Sequence, residues 1–135
     1  PTANISAIVT FVRNSKLFIS NPIKIKYQSE PTLFNEVITI DQNISLMPQF
    51  DWISTTSEAD AIYFQVLSNN FGDMVSGTYT IDPTFRFYNL ENVVLNITNE
   101  ETPMLKLNET YQFIVMGVSE DNWVNFISDS RFTAF

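Results

Sequence analysis

The side chains able to do chemistry in this chain are almost all carboxylates: fifteen Asp and Glu stand against seven Lys and Arg, with no His and no Cys. Without an imidazole or a thiol there is no Ser-His or Cys-His nucleophile pair, no thiolate and no histidine metal ligand. The three glycines, Gly72, Gly77 and Gly117, are too far apart to write a phosphate-cradling loop. A pair of carboxylates set ~5 to 9 Å apart across a cleft, as in glycoside hydrolysis, is the remaining catalytic option. It needs a deep groove that a small β-domain seldom forms, so the chain is read as non-catalytic, with no cofactor. What remains is binding chemistry. The acids fall close together at Glu58 and Asp60 and again at Glu120 and Asp121, with Trp123 beside the second pair.

Those groups sit on a chain of 135 residues, one domain's worth, long enough for a single core. Only 16% of residues are charged, and polarity is carried by Asn, Ser and Thr, which favours turns and strands over long helices. The net charge of −8 argues against nucleic acid, whose phosphates need clustered Lys and Arg. An anionic membrane surface is disfavoured for the same reason. The absence of Cys removes any disulfide framework. No apolar run approaches the ~20 residues of a membrane helix, and nothing resembles a signal peptide, so no transmembrane segment is expected and the chain reads as a soluble or processed mature form. Four Asn-X-Ser/Thr sequons, at Asn4, Asn43, Asn96 and Asn108, are about as many as an Asn-, Ser- and Thr-rich chain gives by chance.

The elements that must position these groups are strands. The near-continuous apolar run of residues 5–12 predicts one, Asn14-Ser15-Lys16 a turn, and Leu17-Phe18-Ile19 a second. Ile23-Lys24-Ile25-Lys26-Tyr27 alternates strictly, with lysines that also guard an edge. Residues 37–40 follow, then Pro48-Gln49-Phe50-Asp51-Trp52, Ala61 to Leu67, and Met74 to Ile81 with Gly77 as a candidate bulge. Asn69-Asn70-Phe71-Gly72-Asp73 is a strong turn signal. Residues 84–98 carry two β-rich pieces, FRFY and VVLNIT, as one bent strand or two. Residues 111–118 and 123–135 close the chain. Residues 1–43 carry +1 and residues 44–135 carry −9, and the first 43 cannot hold a core alone. The expectation is therefore an N-terminal β-extension, 1–43, packed on a main domain, 44–135.

On residues 44–135 the chain resembles the fibronectin type III family of immunoglobulin-like sandwiches. Phe50-Asp51-Trp52 looks like the second-strand core tryptophan and Ala61 to Val66 like the third strand. Leu107 with Tyr111 looks like the tyrosine corner, in which a Tyr hydroxyl at the start of the sixth strand bonds back to the preceding loop. The resemblance implies an all-β, immunoglobulin-like sandwich used for contact rather than catalysis. The span 84–98 is longer than the family's usual one, and residues 1–43 have no counterpart in it. The Asn-rich, aromatic-rich texture is also similar to small bacterial surface lipoproteins, which implies a secreted or outer-surface location, with a lipid anchor in the precursor as one option.

Within that topology the loops of residues 54–60 and 119–123 emerge at one pole, gathering Glu58, Asp60, Glu120, Asp121 and Trp123. Solvated loop acids, a calcium site and a binding patch using Trp123 are the three readings. Alternation puts Ile62, Phe64 and Val66 inward with Tyr111, Phe113, Val115 and Gly117, and leaves Tyr63, Gln65, Leu67, Gln112, Ile114, Met116 and Val118 outward. An outward face so apolar is either covered by residues 1–43 or forms a dimer or partner interface. The functional expectation is an extracellular interaction module for a protein partner. The alternatives are a carbohydrate-binding module using Trp123 with Tyr79 or Tyr88, and a structural spacer.

Overall fold

The computed structural model describes residues 5–25, 31–34, 37–53, 60–96, 103–120 and 122–135. Among them the secondary structure is all strand: thirteen strands and no helix. Contacts divide the chain into two units, Pro1–Pro31 and Thr32–Phe135.

The first unit is two ribbons. β1 (Ile5–Ala7) pairs antiparallel with β4 (Ile23–Ile25), and β2 (Thr10–Arg13) with β3 (Lys16–Ile19). The run of residues 5–12 is therefore split between two pairings. Asn14 and Ser15 both take left-handed backbone, φ 50° and 60°, the geometry that lets a two-residue turn follow the twist of its strands. Both faces of the β2–β3 hairpin are exposed, including the stacked pair Phe11 and Phe18, 4.8 Å apart.

The second unit is a sandwich. Its large sheet has the order β11-β9-β8-β12-β13-β5, built from β5 (Leu33–Phe34), β8 (Ile62–Asn69), β9 (Met74–Thr80), β11 (Val93–Asn96), β12 (Thr110–Val118) and β13 (Val124–Thr133). Its small sheet has the order β10-β7-β6, from β6 (Ile38–Asp41), β7 (Gln49–Trp52) and β10 (Thr84–Arg86). All neighbours are antiparallel except β5, which runs parallel to β13 through Phe126↔Leu33 and Ile127↔Phe34.

The two sheets meet through aromatic rings. Phe50 of β7 stacks on Phe113 of β12 with centroids 3.9 Å apart and meets Phe132 of β13 edge-on at 5.4 Å. Trp52, two residues along β7, lies edge-on to Tyr63 of β8 at 5.4 Å. Side chains alternate across a strand, so only the in-pointing half of each contributes. Along β12 the burial alternates without a break, with Tyr111, Phe113 and Val115 inside. Burying a large apolar side chain is worth ~1.5 to 3 kcal/mol, so this interlayer is the main source of stability.

Three features differ from the sequence expectation, and a fourth, the strands of residues 84–96, decides between the two alternatives it left open. The contact boundary lies at Pro31/Thr32 rather than 43/44: residues 32–43 supply β5 to the edge of the large sheet and β6 to the small one. Those residues extend both sheets at their margins and do not lie over the outer face. Residues 84–96 form two strands, in different sheets. The irregularity in β9 is opposite Leu67 and Ser68, where the partners skip from Ser76 to Met74, so it falls at Val75 and not at Gly77.

Candidate functional site

The phase of β8 is the reverse of the expected one. Tyr63, Gln65 and Leu67 are buried with Phe113 and Val115, while Ile62, Phe64 and Val66 face outward. Tyr63 and Leu67 are therefore core residues and leave the candidate interface, whereas Ile114, Met116 and Val118 belong to the outer face. The inversion has a polar cause. Gln65 donates to the Thr80 hydroxyl at 2.5 Å and accepts from the Thr78 hydroxyl at 2.8 Å, so its amide is satisfied inside the sandwich.

The corrected phase produces an unbroken apolar ladder. The register aligns Phe34, Ile127, Met116, Phe64, Tyr79 and Leu95, one from each strand of the large sheet, on the outer face. Phe64 and Tyr79 stack at 4.5 Å, and the two ends, Phe34 and Leu95, are 65% and 54% exposed. One flanking row carries Val124, Val118 and Ile62, and the other carries Asp129, Ile114 and Val66. With strands ~4.8 Å apart and same-face residues ~6.8 Å apart, the ladder and its flanks span on the order of 24 Å by 14 Å, about 340 Å². That is the size of the largest apolar patches on ordinary monomers, which are often functional.

The acidic pole divides. Glu58 and Asp121 lie outside the described residues. Glu120 is exposed, whereas Asp60 is turned into the end of the sandwich. There its Oδ1 accepts from the Asn125 amide at 2.8 Å, and its Oδ2 is buried with no partner. Gly117 makes room for it: a Cβ there would stand 2.6 Å from Asp60 Oδ1 and closer still to the Phe126 ring. Tyr63 lies near enough for Asp60 and Asp82 to act on its phenol, whose pKa is raised above 10.0 by burial first and then by repulsion from those two carboxylates. Trp123 is half-buried, its backbone tied to Ser119 by Ser119 N–H donating to Trp123 O at 2.9 Å and Trp123 N–H to Ser119 Oγ at 3.3 Å. Among the described residues no group of three carboxylates is placed to hold a metal ion. Nor do the three aromatics of the carbohydrate reading share a surface. Tyr79 is on the ladder, Trp123 at the pole, and Tyr88 packs on Phe85 and Phe87.

Two further arrangements lie at the start of β12, the first of the kind expected from Leu107 with Tyr111 and the second not expected from the sequence. Lys106 N–H donates to the Tyr111 hydroxyl at 2.9 Å, closing the loop before β12 onto its first core residue. At the opposite pole from Asp60, a cleft of about 200 Å³ opens between the β8–β9 turn and the neighbouring ends of β12 and β13. Phe71, at that turn, is 89% exposed. The sequence signal was available: a bulky aromatic inside an Asn-Asn-Phe-Gly-Asp turn is out of reach of any core. No protein-family model and no curated protein sequence matches the chain.

Proposed function

We propose that the chain is a non-catalytic, fibronectin type III-like interaction module of a secreted or surface protein, and that it engages a protein partner through the outer face of the large sheet. The observation that carries this reading is the six-residue apolar ladder from Phe34 to Leu95, which crosses every strand of the sheet. A stable interface buries ~800 Å² per partner, so the ladder supplies the apolar centre and the surrounding polar residues Gln112, Asp129 and Arg131 the rim. Exposed apolar surface of this shape suits a flat partner. The family-level part of the reading is supported by the Tyr111 hydroxyl bonded to the loop before its strand, and by Trp52 and Phe50 at the centre of the interlayer.

The test is site-specific photo-crosslinking with a benzophenone side chain at Met116, using Thr39 on the exposed side of β6 as the control position, in full-length protein mixed with the envelope proteins of its source cells. A discrete adduct from Met116 alone is expected, and it disappears when Phe64→Lys is added. A second copy of the chain would show as an adduct of twice the mass. Equal labelling from both positions, or none from either, refutes the assignment of this face.

A further inference from the structure

We infer that the cleft beneath the β8–β9 turn is a binding site for a single sugar ring bearing a carboxylate, a uronic-acid unit of a glycan. The site shares Gln112 and Arg131 with the rim of the proposed interface, but the inference does not use the apolar ladder and rests on three observations.

The first is rigid presentation of an aromatic. Asn69 Oδ1 accepts from Phe71 N–H at 2.9 Å and from Asp73 N–H at 3.0 Å, and Asn69 N–H donates to Asp73 O at 2.9 Å. Gly72 takes φ 87°, the left-handed backbone that lets Gly72 N–H return to Asn69 O at 3.0 Å. One asparagine thus fixes the whole turn, so Phe71 is held in water by a built structure. An aromatic on a fixed backbone has only its two side-chain torsions to lose when a ring stacks on it.

The second is an unused cation. Unit Thr32–Phe135 holds three basic residues, Arg86, Lys106 and Arg131, against fourteen acids. Arg86 donates to Gln49 and to Met47 O, and Lys106 pairs with Glu109 at 3.6 Å. Arg131, which lines the cleft, has no acceptor among the described residues. A guanidinium is a fork that matches a carboxylate with two parallel bonds. One cation in so acidic a unit balances one negative charge, which favours a carboxylate over a doubly charged phosphate.

The third is the remaining wall. Asn70, Thr110 and Gln112 line the cleft with Arg131, and among the described residues no acid does. Amides and a hydroxyl are the donors and acceptors that sugar hydroxyls take. Of the nearest acids in sequence, Glu109 pairs with Lys106 at 3.6 Å, and Asp129 and Asp73 are engaged by the amides of Gln112 and Asn69 at 2.9 and 3.0 Å. The volume of about 200 Å³ is below the ~300 to 1,000 Å³ of drug-sized pockets, which suits one ring at a chain end.

The experiment is a titration of the isotope-labelled full chain with glucuronic acid, followed by amide chemical shifts, with glucose and N-acetylalanine as comparison ligands. Saturable shifts confined to residues 69–72, 110–112 and 131 are expected for glucuronic acid at millimolar concentration. Phe71→Ala should weaken binding about tenfold. Arg131→Gln should remove the preference over glucose without abolishing the shifts. Both side chains are exposed, so neither change disturbs the core, and unchanged dispersed spectra check this. Absence of saturable shifts, insensitivity to Phe71→Ala, or equal binding of N-acetylalanine, which would mark a receptor for peptide carboxylates, each overturns the inference.

Discussion

Gly117→Ala is the sharpest test of how the acidic end of the sandwich is packed. Gly117 lies in β12 directly opposite Phe126 of β13 and Tyr63 of β8. The added methyl would stand 2.6 Å from Phe126 Cδ1 and from Asp60 Oδ1, and nearer again to Phe126 Cε1, where ordinary contact begins near 3.4 Å. Phe126 has no exposed surface and is walled in by the core, so its ring cannot swing into water. Asp60 could move only by giving up its bond from Asn125. Overpacking a filled core costs ~1 to 3 kcal/mol, and with two immovable neighbours the upper end applies, about 3 kcal/mol. For a chain of this size that corresponds to a fall in Tm of roughly 9 to 15 °C. Urea denaturation followed by tryptophan fluorescence gives the free energy directly, and an unchanged m-value shows that the native state is still the one being unfolded. Adding Phe126→Leu to Gly117→Ala should recover part of the loss, because the two sites share one space and are not additive. If Gly117→Ala alone unfolds within about 0.5 kcal/mol of the unaltered chain, the packing described for this end of the sandwich is incorrect.

Three further outcomes are expected. Tyr111→Phe removes the acceptor of Lys106 N–H and should cost about 1 to 2 kcal/mol in urea, with no change in m-value. The phenol of Tyr63 has its folded pKa raised above its unfolded value near 10, so its contribution is fully present below that pH and is lost as pH rises through the folded pKa. Stability measured across the alkaline range should therefore decline above pH 10, and Tyr63→Phe should make that decline shallower. Truncation to residues 32–135 keeps all the core residues and both sheets and should give a cooperative unfolding transition. Truncation to 44–135 removes Leu33, Ile38 and Ile40, which pack on the core, and should lower stability by several kcal/mol or abolish the transition.

The strands were legible because alternation and turn residues are local signals, and β12 was legible even in its phase. In TYQFIVMGV the large aromatic residues fall in a single register. The β8 segment, AIYFQVL, is apolar in both registers, and the one amide tips a sequence-based choice toward placing Gln65 outside. What decides the matter is β9, whose in-pointing Thr78 and Thr80 offer hydroxyls to that amide. Those partners come from another strand, so the answer depends on a pairing that no local pattern encodes. The same limit applies to Asp60, whose place is set by Gly117 and Asn125 far along the chain. The cleft under Phe71 was hidden for a different reason. Its walls come from three segments, and only the turn announces itself in the sequence.

The two-residue parallel bridge between β5 and β13 has a mechanical meaning. β5 opens the sandwich unit and β13 closes it, and they run in the same direction. Tension applied between the two ends of the unit pulls these strands oppositely along their length, so their hydrogen bonds are loaded together in shear rather than opened one at a time. A shear clamp is strong in proportion to the number of rungs, and among the described residues this one has two register pairs, Phe126↔Leu33 and Ile127↔Phe34, supplemented by the Thr32 hydroxyl donating to Val124 O at 2.8 Å. Under stretching in a single-molecule force measurement, the first strand is expected to part from the sheet before the longer antiparallel pairs behind it, baring the outer edge of β13.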